Sequence, residues 1–532
     1  MKSSKNFIGK FLPEVIIFTF AVLICHYSGN RGIFPIDSLG HFDNGYRILL
    51  GDHPFKDYWV VSGPIIDYFQ SLLFFLLGVN WQTYILNASL LNGLVSLVTY
   101  YLLKNLGLEK KLSFFYTICF SILAYPSSGT PFVDQHSTFL SILALYVFIL
   151  AMKNNNDYLW FLIPILMTFS FLSKQVPAAY ILITIIMILI YHFLFTSKEK
   201  NLRILFILFI SSIFIISVIY FFFTMNSISI QNFLDQYINF PRADIGKSRY
   251  VELSYGIKNI FLDYKFIYIV LIFQTLLIFL SIKKKINFFS DISFKIFLIS
   301  LFLFACLVQH LLVTKNQIFI FFLIPLFSGF AQVQLANVKF KNQKYFTIFL
   351  IILCFATTYK YHYRFNVERK FHELNTVDFT KSVEAKKLSN KLNGLQWITP
   401  GTKTKKQANE EINYLLNAKE ILKNDKKNKL IITNFSIFSV LLNEKTNSYS
   451  RWYPGTNNSA FPTKGNIFFQ NYQKFIKNII LKKKINNIYV LADVNEYNLL
   501  NYINLKCLDR MVLENNILKF NVDRICLRNT KS

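Results

Sequence analysis

Acidic residues are scarce in this chain. Of its 532 residues, 29 are Asp or Glu against 57 Lys or Arg, a formal net charge of +28. In a soluble protein such an excess would point to nucleic acid. Here Lys is accompanied by abundant Ile, Asn and Phe, a mixture that drift toward A/T-rich codons produces. No nucleic-acid partner is therefore expected, while a basic face beside anionic membrane lipids is. Metal-ligand spacing is also missing: His41, His53 and His136 do not form a zinc pattern. The tail after residue 360 has no glycine-rich phosphate loop. No cofactor is assigned, and a divalent metal has no support in ligand spacing. The N-terminus, with Lys2, Lys5 and Lys10 ahead of an apolar run, resembles a signal peptide but lacks a small-x-small cleavage site, and Ile24 before Cys25 does not suit lipoprotein processing. It reads as an uncleaved anchor with a cytoplasmic N-terminus.

What the chain has instead is hydrocarbon. Hydrophobic residues make up 53% of it, with 58 Phe and 30 Tyr. A helix crossing a bilayer core of ~30 Å needs about 20 apolar residues, and the apolar blocks here approach that length with few charges. A soluble fold is excluded, and the fold class is mainly α and polytopic. The runs read as spans are 12–27, 81–103, 110–126, 136–152, 158–173, 177–196, 203–224, 266–282, 294–314, 317–336 and 344–360, about eleven in all.

The run 63–79, GPIIDYFQSLLFFLLGV, is long enough to cross but opens Gly63-Pro64 and carries Asp67 and Gln70. Laid on the outer surface, it leaves basic residues such as Lys104, Lys153, Lys198, Lys284 and Lys344 in inner loops, with only Lys174 and Lys315 in short outer ones. Counted as a span, it inverts this positive-inside pattern. It is therefore an interfacial helix. The expected organisation is a transmembrane domain over 1–360, with outer loops at 28–80 and 225–265, and a small extracytoplasmic α/β domain over 361–532. The membrane is of the bacterial cytoplasmic type.

In the tail, NKLIITNF and NNIYVLADV are strand-like, and FFQNYQKFIKNIILKK between them has helical spacing, which together predict a βαβ-like module. Cys25, Cys119, Cys306 and Cys354 lie in or at apolar spans as small hydrophobes. Cys507 and Cys526 flank RMVLENNILKFNV, a hairpin pattern turning near Asn515-Asn516. An oxidising compartment permits a disulfide there; two unpaired core cysteines are the alternative.

The densest chemistry is in PIDSLGHFDNGYRILLGDHPFKDYWVVSGP, residues 35–64, which holds Asp37, Asp43, Asp52 and Asp57. On the same expected face lie Asp134 and His136 in PSSGTPFVDQHS, Lys174-Gln175, and Lys315-Asn316-Gln317. A carboxylate at the membrane surface can take the proton from an acceptor hydroxyl. Cations beside it can hold a departing lipid phosphate. The bland readings are as concrete: Asp37 and Asp134 as helix caps, Lys174 as a snorkelling lysine, Tyr58 and Trp59 as an aromatic belt, and Arg242, Lys247 and Arg249 as a solvated turn.

This order of features resembles the membrane glycosyltransferases of the C-type (GT-C) fold, specifically the family that includes protein O-mannosyltransferases and bacterial aminoarabinose transferases. Members open with a span, an acidic motif that is often Asp-Glu, an amphipathic helix, and a pattern like (Y/F)-(R/K)-D-(F/Y)-(W/F) leading to Gly-Pro. Here Asp37-Ser38, HFDNGYRILLGD, HPFKDYW and Gly63-Pro64 stand in those places. The resemblance extends to Asp134, to FLSKQVPA around Lys174 and to TKNQIFIFFLIPLF near Lys315. It implies inverting transfer from a polyprenyl-phosphate sugar donor to a glycan, lipid or protein acceptor, with Asp37 as general base and Asp134 as a second acid. On this reading Lys174, Lys315, Arg242 and Lys56 bind lipid phosphate, while Asp43, His41, His136, Tyr58 and Trp59 position donor or acceptor. Ser38 stands where many members have Glu, which weakens a metal-binding or two-acid role. A lipid-linked glycan flippase or transporter would place ionisable groups deeper and show repeats, which this sequence lacks. A glycan polymerase or ligase of another fold remains the third option.

Overall fold

The structure, a computed structural model, describes residues 2–32, 35–125, 129–246, 255–282, 288–314, 320–338, 342–370, 378–398, 407–453 and 460–529. It is mainly helical, with a small sheet near the C-terminus. Helices α1 to α9 are Lys2–Gly29, Pro35–Leu49, Pro64–Leu77, Trp81–Asn105, Lys110–Ala124, Val133–Asn154, Asp157–Ser173, Gln175–Phe193 and Lys198–Met225. A short α10 at Ile230–Phe233 precedes α11 (Lys265–Ile282), α12 (Ile292–Thr314), α13 (Leu323–Val338) and α14 (Gln343–His362).

Among the described residues, eight helices are long and apolar enough to cross a membrane, which makes this a multi-pass membrane protein. They are Phe11–Gly29, Trp81–Asn105, Val133–Asn154, Gln175–Phe193, Lys198–Met225, Lys265–Ile282, Ile292–Thr314 and Ile320–Val338. The other three expected spans fall on α5 and α7, with 15 and 17 residues, and on α14, whose ends carry Lys344, Lys360 and His362. The helices start and stop where local chemistry directs. Asn156 accepts the Tyr158 N–H to cap α7. Gly63, at φ 75°, turns the chain in the left-handed region before Pro64 opens α3.

The chain forms two compact units. The first comprises Met1–Gly29, Ile85–Val218 and Leu253–Asn375, and holds most of the apolar helices. The second comprises Asn30–Tyr84, Ile219–Glu252 and Thr376–Ser532. The expected cut fell at residue 360; within the second unit the tail shares its core with the loop after α1. Trp59, Val61 and Phe240 are buried in one cluster with Leu430, Ile432, Tyr449, Tyr472 and Ile488.

In the second unit, β1 (Val383–Glu384) pairs with β2 (Gln396–Trp397) antiparallel. The main sheet has the order β3-β4-β6-β5, built from Lys429–Ile432, Asn487–Val490, Leu518–Val522 and Leu508–Val512. Strands β3 and β4 are parallel, with Leu430 opposite Ile488, and the other pairs are antiparallel. Helix α17 (Phe469–Lys482) makes the crossover between β3 and β4, preceded by α15 (Ala408–Asn424) and the short α16 (Phe438–Leu442). The segments are those the alternation predicts. Beyond the β5–β6 hairpin, Cys507 and Cys526 form a disulfide with Cα atoms 5.4 Å apart.

Helix α3, at 14 residues, spans about 21 Å, well short of a hydrocarbon core. Ile66, Asp67, Gln70, Leu73 and Phe74 are buried, while Phe69, Leu72, Phe75, Leu76 and Leu77 are exposed. An apolar outward face is what an interfacial helix presents. Its inner face lies close on α2: a Cβ added to Gly45 would come within 2.6 Å of the Gln70 side chain.

Candidate functional site

In the first unit the charges converge on Asp134. This residue lies in the first turn of α6, whose N-cap is Phe132, so the expected capping role does not fall to Asp134. It is fully buried. Lys174, in extended conformation between α7 and α8, brings its Nζ to 2.7 and 2.6 Å from the two carboxylate oxygens. His310, near the end of α12, donates from Nε2 to Oδ1 at 2.7 Å. Three separate helical segments thus contribute to one charge-assisted cluster. Ionisable groups on membrane-crossing helices carry a cost, on the order of 2.5–3.5 kcal/mol each at the bilayer centre, which pairing of this kind offsets. Expected as a phosphate ligand, Lys174 spends its charge here on Asp134.

His136, two residues on, has Nδ1 2.6 Å from the Tyr125 hydroxyl and 3.2 Å from the Phe132 carbonyl, and Nε2 3.0 Å from Asn87 Oδ1. Both ring nitrogens are occupied, so the ring is held as a helix fastener. Among the described residues no group of three or more His, Cys, Asp or Glu side chains could hold a metal ion.

In the second unit Asp43, Asp52 and Asp57 of the 35–64 stretch are bound into the fold. Asp43 accepts from the Ser439 backbone N–H at 2.9 Å, from Ser439 Oγ at 3.0 Å and from Thr446 Oγ1 at 3.4 Å. Burial pushes its carboxyl up, and those hydrogen bonds together with Arg47 pull against that. Asp52 takes Arg47 at 3.1 Å, Lys483 at 3.0 Å and Lys445 at 3.2 Å. Burial would raise its carboxyl, but Arg47 and Lys483 outweigh it and hold the group at about 2. Asp57 accepts the His53 N–H at 2.9 Å and faces Lys483 at 3.5 Å. Asp67, on α3, is fully buried between His41 Nδ1 and Arg451 Nη2, each at 2.6 Å. Arg451 also donates to the Ser62 carbonyl at 2.7 Å.

These contacts revise several expectations. His41 and Asp43 are buried structural partners rather than surface groups facing a ligand. Tyr58 lies under the Arg47 guanidinium, 4.5 Å from its ring centroid, and Trp59 packs edge-on to Tyr472 at 4.9 Å. Both are core, because the tail closes over them, so neither stacks on a sugar. Lys56 donates to the Asn226 carbonyl at 2.8 Å and, with Lys482 and Lys483, lines a cavity of about 450 Å³. Arg242 is exposed on the short helical turn Pro241–Gly246. Lys247, Arg249 and Lys315 lie outside the described residues. Asp37 is the third residue of α2, but its side chain also lies outside what is described.

His310, Arg451 and Lys483 were not singled out from the sequence. His310 had a signal, being one of two ionisable residues in the 294–314 run. Arg451 and Lys483 had none, since each is one basic residue among 57. Comparison of the chain with protein-family models and with curated proteins finds no match.

Proposed function

We propose that the protein is an integral membrane glycosyltransferase of the C-type fold. It moves a sugar from a polyprenyl-phosphate donor to a surface glycan, lipid or protein acceptor, with inversion and with Asp37 as general base. The observation that carries the reading is the Asp134–Lys174–His310 cluster. Asp134 lies in the first turn of α6, Lys174 between α7 and α8, and His310 in the last turns of α12. Ionisable groups gathered at helix ends suit chemistry at a membrane boundary. A translocation path would line the middle of the spans. Asp43, Asp52 and Asp57 are committed to fastening the second unit, which leaves Asp37 as the base of the 35–64 stretch.

In this reading the tail is extracytoplasmic and the N-terminus cytoplasmic. Eight crossings would return the tail to the side of the N-terminus; the reading takes α5, α7 and α14 as crossings too, giving eleven. The Cys507–Cys526 disulfide supports an oxidising compartment for the tail. A proton leaves the acceptor hydroxyl for the Asp37 carboxylate as the oxygen attacks the anomeric carbon, and the bond to the lipid phosphate breaks on the opposite face. Lys56, Arg242 and Lys315 are the cations proposed for that phosphate.

The test is mass spectrometry of lipid-linked sugars and surface glycans in cells carrying wild type, a deletion and Asp37→Asn. Loss of one sugar from the surface, with its polyprenyl-phosphate form accumulating in both mutants, is the expected result. A point mutant indistinguishable from wild type at equal protein level would remove Asp37 from the chemistry.

A further inference from the structure

The second unit carries another concavity, of about 530 Å³, whose lining differs from the lysine-lined one. Its walls are Glu410, Asn413, Tyr414 and Asn417 from α15 and Asn515 and Asn516 from the β5–β6 turn. Positions 410, 413, 414 and 417 repeat at the spacing of one helix face. Both turn asparagines have positive φ, 56° and 58°, a conformation that asparagine tolerates better than most residues.

We infer that this concavity is a binding site for a neutral saccharide. No Lys or Arg lines it, so it offers no counter-charge to a phosphate or a uronic acid. None of its lining residues is aliphatic and Tyr414 is mostly buried, so it offers a lipid chain little to pack against. What it offers is four carboxamides, each with two N–H donors and a carbonyl acceptor. Sugar hydroxyls, which donate and accept at once, match that set. The volume falls within the ~300–1,000 Å³ of small-molecule sites.

The walls are held in place. Glu410 accepts the Gln407 N–H at 3.0 Å in a capping box, and Tyr414 accepts the Ala492 N–H at 2.7 Å. Asn417 has unspent capacity, because its Oδ1 is buried with no hydrogen-bond partner among the described residues. An unmade buried hydrogen bond is destabilising, a penalty that a rearranged amide contacting a ligand hydroxyl relieves. The site lies wholly in the second unit and requires no transfer activity.

The experiment is saturation-transfer NMR on the full-length protein in a detergent without a sugar headgroup. The probes are free neutral oligosaccharides of hexose and N-acetylhexosamine, beside their uronic-acid and phosphorylated counterparts. Neutral probes are expected to bind with Kd on the order of 1 mM. Asn413→Ala/Asn417→Ala should weaken binding about tenfold or more. Asn515→Gly/Asn516→Gly, which keeps the positive φ, should do the same with an unchanged melting temperature. Asp37→Asn should bind like wild type even where transfer is lost. The proposal is overturned by no neutral signal at about 10 mM, by equal binding in both double variants, by preference for the anionic probes, or by loss of binding in Asp37→Asn.

Discussion

Asp67 in the second unit and Asp134 in the first are both withdrawn from solvent, and each meets one basic side chain and one histidine. The basic partners differ. Arg451 uses its fork, one arm on Asp67 and the other on the Ser62 carbonyl, so it fixes the chain leading into α3 as well as the carboxylate. Lys174 brings a single point charge equally to both oxygens of Asp134, and its side chain keeps 14% of its surface in contact with solvent. A forked cation with two structural partners is a fastener. A single ammonium on a flexible stem, with part of its surface in solvent, fixes less of the chain around it.

The largest effect should come from breaking the fastener. Arg451→Met removes the cation from buried Asp67, leaving His41, Asn44 and Tyr58 as its hydrogen-bond partners, and orphans the Ser62 carbonyl, a loss of about 3–5 kcal/mol. Thermal unfolding in detergent should show it, along with reduced folded yield. Arg451→Lys keeps the charge but not the fork and should recover less than half of the loss. An unchanged melting temperature in Arg451→Met would strip the residue of its fastening role.

The second prediction concerns the other cluster. Lys174→Met leaves the His310 contact with Asp134 in place but takes the cation from a buried carboxylate, so transfer is read at equal levels of folded protein. Glycan transfer should fall about 100-fold or more, on the order of 2.7 kcal/mol in the barrier. Lys174→Arg should restore part of it. Transfer at the wild-type rate in Lys174→Met, read by the same lipid-linked sugar analysis, would make Asp134 and Lys174 a fastener like the Arg451 pair.

How much of this was legible in sequence follows from the range of each interaction. Eight of the eleven expected spans, the βαβ crossover and the hairpin at Asn515-Asn516 are local patterns of apolar spacing and turn residues, and they were readable. The unit boundary was not, because Trp59 and Val61 look like a surface aromatic stretch until the tail covers them. Arg451 meets Asp67 across 384 positions, a separation that no local spacing reveals. Of the four aspartates in 35–64, the density was visible, but the division of labour was not: Asp43, Asp52 and Asp57 are fixed by residues between 439 and 483 or by their own loop. The pairing of Lys174 with Asp134 was within reach of sequence, since both were singled out; His310, the third partner, was visible only as an ionisable group in a span.

The smallest predicted effect lies with the histidine of the fastened cluster. Burial and the charge of Arg451 push the His41 imidazole below its ordinary 6.5, against the pull of Asp67. Between the folded and unfolded values the unfolded chain binds the extra proton. The contribution of neutral His41 is therefore fully present above pH 6.5 and is lost as pH falls below it. Wild type should lose on the order of 1 kcal/mol more than His41→Gln on acidification by one pH unit from there. His53, whose imidazole is also pushed down by burial and by Lys56, is present in both proteins and cancels in the difference. The measurement is the melting temperature of the two proteins against pH between about 7 and 5. Parallel curves would mean that His41 titrates in the fold as it does in the unfolded chain, with the pull of Asp67 balancing burial and Arg451.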